Sequence, residues 1–133
     1  KVNVPDEPVF IFSDGKKLYR VFLNLISNTL KYSLTNSRIY IDLIIEIDEK
    51  GPSPFETFGK ATAVIKNIAN YEMNFSEDEI LERFVRGDKA RSDEGSGLGL
   101  AIAKNFTQIC GGEFDITVDG DLFKVKLVFD TVE

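Results

Sequence analysis

Gly95, Gly97 and Gly99 stud a short stretch, Gly95-Ser96-Gly97-Leu98-Gly99-Leu100-Ala101-Ile102, that runs into an apolar-periodic segment. Residues without a Cβ let the backbone come close to a ligand, and the helix that follows adds free N–H groups and the positive end of a dipole. That is chemistry for a phosphate, although close packing of two elements uses such glycines too. A second group is Asn24, Asn28 and Lys31, whose spacings of four and three place them on one narrow stripe of a helix. An asparagine carbonyl coordinates a hard cation without adding charge, and a lysine brings a point charge to a phosphate. Mg²⁺ held by one or two protein oxygens together with nucleotide phosphates suits that stripe; a solvent-exposed helical edge is the plain alternative. Arg83, Arg86, Lys89 and Arg91 cluster just before the glycines, where they either meet an anion or form a solvated charged face.

The elements that must position these groups follow from patterning. Val9 to Phe12 reads as a short strand, and Ser13 or Asp14 offers an N-cap for a long helix to about Ser33. Leu18, Val21, Phe22, Leu23, Leu25, Ile26 and Leu30 surround that helix with apolar side chains, which predicts that it is largely buried and that its asparagines need partners. Arg38 to Ile47 alternates, with Ile39, Ile41, Leu43, Ile45 and Ile47 on one face. Gly51, Pro52, Pro54 and Gly59 mark a loop, and Ala61 to Asn67 returns as the partner strand of a hairpin. Ser76 with Glu79 forms a capping box for a short helix ending near Phe84, followed by a polar, lid-like segment. From Leu98 the apolar residues recur at helical spacing until Gly111-Gly112, and two strands joined at Asp119-Gly120 close the chain. The order β-α-β-β-α-α-β-β predicts an α+β fold: a two-layer sandwich, with a mixed sheet of about five strands and three helices on one face.

At 133 residues and 43% hydrophobic, the chain is expected to form a single domain, residues 1–133. Its net charge of −6 argues against nucleic acid as a partner, so any anion is met locally. No apolar run approaches the roughly 18 residues of a membrane span, and the N-terminus does not read as a signal peptide, so no direct membrane contact is expected. The single cysteine, Cys110, excludes a disulfide framework and reads as core filler.

On three ordered motifs the chain resembles the catalytic, ATP-binding domain of two-component sensor histidine kinases, within the superfamily of gyrase, Hsp90 and MutL ATPases. Asn24-Leu25-Ile26-Ser27-Asn28-Thr29-Leu30-Lys31-Tyr32-Ser33 resembles the N box, Glu82 to Asp88 the F box, and Gly95 to Ile102 the second glycine box. The resemblance implies a Bergerat-type ATP-binding fold, with Asn28 as chief Mg²⁺ ligand assisted by Asn24. It also implies Lys31 and Arg86 on the phosphates, Tyr32 near the adenine, and Gly95, Gly97, Leu98, Gly99 and Leu100 at the phosphate-side hinge of an ATP lid.

The first glycine box departs from the family's Asp-x-Gly-x-Gly: the aspartate position falls on Asn67 and the glycine positions on Ala69 and Tyr71. Asn67 keeps an acceptor oxygen for the adenine amino group but not its charge, a loss of roughly 1 kcal/mol, or about fivefold in affinity. The segment Asp119 to Phe123 also lacks the family's usual Gly-Thr. Asn24 stands where hydrolysing relatives typically carry a glutamate that activates water, which disfavours an autonomous ATPase. The chain has no histidine at all, so the phosphoacceptor must sit on a separate histidine-containing dimerisation domain, with a response regulator beyond it. The resemblance thus implies a protein-histidine kinase domain working on the cytoplasmic side of a membrane-anchored sensor. The alternative is a domain degenerate in nucleotide binding that serves as a protein-interaction module.

Overall fold

The computed structural model describes residues 1–48, 58–70 and 98–132. Eight elements follow in order: β1 (Val2–Asn3), β2 (Phe10–Ile11), α1 (Gly15–Tyr32), β3 (Tyr40–Asp48), β4 (Phe58–Ile68), α2 (Leu98–Ile109), β5 (Glu113–Asp119) and β6 (Leu122–Val132). The expected α+β sandwich is present. Its sheet has six strands rather than about five, because Val2 and Asn3 add a two-residue parallel strand beside Ile41 and Asp42 of β3. Two helices rather than three occur among the described residues; the segment expected to form the short helix from Ser76 to Phe84 lies outside them.

The sheet runs β1-β3-β4-β6-β2, with β5 also paired to β6. β3 and β4 form the predicted hairpin, antiparallel from Tyr40 opposite Lys66 to Asp48 opposite Phe58. β4 in turn pairs with β6 from Lys60 opposite Asp130 to Ile68 opposite Leu122. Because side chains alternate across a strand, this register aligns one inward face. It carries Ile41 and Leu43 of β3, Ala61, Ala63, Ile65 and Asn67 of β4, Phe123, Val125, Leu127 and Phe129 of β6, and Ile116 of β5. Gly120, at φ 62°, makes the β5–β6 turn, a conformation glycine adopts without a Cβ clash.

Both helices lie over that inward face, packed on one another, with α1 on β4 and α2 on β5. Asp14 caps α1, its Oδ1 accepting from the N–H groups of Lys16 (3.0 Å) and Lys17 (3.2 Å). α1 sends Val21 and Leu25 into the core, and α2 sends Leu100 and Ala103, with Cys110 half-buried at its edge. α1 is less buried than its composition suggests. Tyr19, Leu23, Ile26 and Leu30 recur at spacings of four, three and four, and are exposed. Apolarity marks two of the flanks of α1, but the sheet and α2 cover only one. Beside this stripe an apolar cleft of about 210 Å³ opens between Ile26 and Leu30 of α1 and Val2, Ile39 and Ile41 of the sheet edge. Ile47, expected inward, is exposed near the far end of β3.

Candidate nucleotide site

The polar stripe of α1 is turned towards α2. Lys17, one helical repeat before Asn24 on the same stripe, holds its ammonium 6.0 Å from the centre of the Phe106 ring. At the other end of the contact, a methyl placed on Gly99 would lie 3.8 Å from Asn24 Cβ and 3.9 Å from its Cγ. The helices therefore run antiparallel, and the first turn of α2 abuts the first asparagine. Two sequence motifs more than seventy residues apart meet at this point. Asn24 and Asn28 are half-buried, Lys31 is exposed, and the Lys31 ammonium lies 5.4 Å from the centre of the half-buried Tyr32 ring. Leu100 belongs to the core rather than to the surface of the site. Leu98 begins α2; Arg86, Gly95 and Gly97, with Arg83, Lys89 and Arg91, lie outside the described residues.

Asn67 lies on the inward face of β4, 3% exposed, opposite Phe123. Backbone links tie its strand to α1. The Leu34 N–H donates to Ile68 O (2.8 Å), the Asn70 N–H donates to Tyr32 O (2.9 Å), and Ser33 bridges to Ala69. Ser33 also closes the helix, its Oγ donating to Thr29 O. The end of β4 is thereby tied to the end of α1, which brings Asn67 to the helix that carries Asn24 and Asn28.

Two side-chain atoms in this region are buried without a hydrogen-bond partner: Asn24 Nδ2 and Asn67 Oδ1. A third, Ser13 Oγ, lies at the opposite end of α1. Leaving such a group unmatched costs about 1–3 kcal/mol, so it is uncommon in a folded protein. The site is also electrostatically one-sided. α1 carries Lys16, Lys17, Arg20 and Lys31 and α2 carries Lys104, while neither holds an aspartate or glutamate, in a chain with 22 of them. Lys17 forms an ion pair with the capping Asp14 at 3.2 Å. The two helices thus carry local positive charge although the whole chain is acidic.

Composition could have flagged Lys17 as a member of the stripe, since it precedes Asn24 by seven residues; its pairing with Asp14 and Phe106 takes it up structurally. The Asn24–Gly99 contact carries no local signal, because it depends on how two distant helices pack.

These features are those of a nucleotide-binding domain, and comparison places the chain in a family. Residues 13–131 match the family described as histidine kinase-, DNA gyrase B-, and HSP90-like ATPase, and the chain belongs to it. It is 31% identical over 133 residues to the probable sensor protein PcoS of Escherichia coli, covering 97% of this chain and 26% of that protein. It is 32% identical over 113 residues to the sensor histidine kinase WalK of Bacillus subtilis, covering 84% of this chain and 17% of the relative. Among solved structures it resembles the mycobacterial sensor histidine kinase MprB, with a TM-score of 0.69 and 26% identity over 99% of this chain and 80% of that one. Full-length ShkA, solved in complex with AMPPNP, shares the fold at a TM-score of 0.63 and 19% identity, covering 99% of this chain and 25% of that one. The chain thus spans about a quarter or less of the curated relatives PcoS and WalK.

Proposed function

We propose that this domain binds Mg-ATP and delivers its γ-phosphoryl group to a histidine on a separate dimerisation domain, from which a response-regulator aspartate is charged. The observation that carries the proposal is the meeting of the Asn24/Asn28 stripe with the start of α2 at Gly99, beside a buried, unmatched Asn67 oxygen. The unmatched amide groups fit a nucleotide: Asn67 Oδ1 accepts from the base amino group, and the asparagines of α1 lie on the phosphate side. Asn28, assisted by Asn24, would hold Mg²⁺ through its amide oxygen, and the ion would neutralise charge on the phosphates. Among the described residues no three Asp, Glu, His or Cys side chains cluster to bind a metal, which leaves amide oxygens and phosphate as the donors in this reading.

Lys31, with Arg86 of the F box, meets phosphate oxygens, and Tyr32 lies by the base. Gly95, Gly97, Leu98 and Gly99 form the hinge side of the lid, and Leu100 anchors it in the core. In the transfer, an unprotonated imidazole nitrogen forms the P–N bond while the bond from the γ-phosphorus to the ADP oxygen breaks. The work is positioning and charge neutralisation, which needs no general base, and Asn24 is not one. The domain works on the cytoplasmic side in a sensor kinase whose membrane anchor is carried elsewhere in the protein.

Calorimetric titration with ATP tests the binding half. Mg²⁺ is expected to tighten binding about tenfold or more, and Asn28→Ala, which removes the oxygen, to lose most of that gain. Equal affinity with and without Mg²⁺ counts against the metal site, and no binding into the millimolar range returns the chain to an interaction module. The transfer half stands or falls on the complete kinase, which should label a histidine from γ-labelled ATP.

A further inference from the structure

We infer that Asn67 makes the base pocket tolerant of the substituent at purine C6, so that the site takes 6-oxopurine nucleoside triphosphates about as well as ATP. The inference rests on the nucleotide reading above and adds the substrate class it admits. Asn67 is 3% exposed and its Oδ1 is buried without a partner, so the acceptor end of the carboxamide is unmatched within the fold. Ile65 on the same face of β4, Ala69 just beyond the strand's end, and Phe123 opposite on β6 are apolar. None of the three offers a hydrogen bond that would fix which end of the amide points where.

A carboxamide carries an acceptor on one branch and a two-hydrogen donor on the other, in nearly the same shape, and a half-turn about its last torsion exchanges them. A 6-aminopurine presents a donor at C6 beside an acceptor at N1. A 6-oxopurine presents the reverse, an acceptor at C6 beside an N1–H donor. Asn67 matches each base in one of its two orientations. A carboxylate in its place accepts only, so it would welcome the 6-amino group and repel the 6-oxo group. Base selectivity at this position is therefore weaker with asparagine than with aspartate.

The test is calorimetric titration of the 133-residue chain with ATP and with ITP, which differ only at C6 and the N1 proton, both with Mg²⁺. ITP is expected to bind within about threefold of ATP. Asn67→Asp is expected to open a gap of at least tenfold in favour of ATP, and Asn67→Leu to weaken both nucleotides alike. Tight ATP binding with ITP weaker by tenfold or more in the unsubstituted chain overturns the inference and leaves the ATP site standing. Failure of both nucleotides to bind overturns the inference together with the reading beneath it. The ratio in the unsubstituted chain decides the matter even if the aspartate variant does not fold.

Discussion

β4 and β6 lie side by side, pair over nine positions and turn every second residue inward, yet they bury different chemistry. β6 offers Phe123, Val125, Leu127 and Phe129, whereas β4 offers Ala61, Ala63, Ile65 and Asn67. The bulky strand fills the space beneath the helices. The strand of small side chains lets α1 close on the sheet and, near the end tied to the helix, leaves room for a polar group. Two neighbouring strands of one sheet therefore differ in what they bury, β6 contributing cohesion and β4 a polar amide.

The sharpest way to break that division is at Leu127, which is 1% exposed at the centre of β6. Leu127→Ala should lower stability by about 2–5 kcal/mol, read as a reduced urea midpoint, with loss of binding only where the domain unfolds. Asn67→Leu, on the neighbouring strand, should do the reverse. Removing the unmatched oxygen should raise stability by about 1 kcal/mol while weakening nucleotide binding by calorimetry. A drop in stability instead would show that Asn67 holds the sheet together. Gly99→Ala probes the helix above. The added methyl would meet Asn24 at ordinary contact distance, so stability should rise by about 0.5 kcal/mol while ATP affinity falls where the backbone must approach phosphate.

The smallest effect lies at Asp14. The Lys17 backbone N–H bonded to it, then the Lys17 ammonium, hold its carboxyl below the ordinary value of 3.8. A carboxylate whose pKa is lowered by folding contributes fully above its unfolded value and loses that contribution as pH falls through the folded one. Asp14→Ala should thus destabilise at pH 7 and make less difference near pH 3, as urea melts at the two pH values will show.

Much of this was legible in advance. The hairpin of β3 and β4, the last two strands and both long helices carry strong periodicities, and their observed limits fall within a few residues of those expected. β1 was missed because two residues hold no alternation, and its pairing with β3 comes from the chain running alongside a strand almost forty residues later. The exposure of Leu23, Ile26 and Leu30 was hidden because a helix apolar on two flanks does not say which one the fold covers. Asn24 and Asn28 could be singled out by type and spacing and Asn67 by the family resemblance, but the unmatched amide atoms of Asn24 and Asn67 emerge only from packing.

The link between Tyr32–Leu34 and Ile68–Asn70 is made of main-chain groups. Side-chain replacement along those two segments leaves its donors and acceptors in place, proline apart. The spacing between the end of β4 and the end of α1 is therefore insulated from most point substitutions nearby. Side chains along both segments are free to vary while the frame between strand and helix stays as it is.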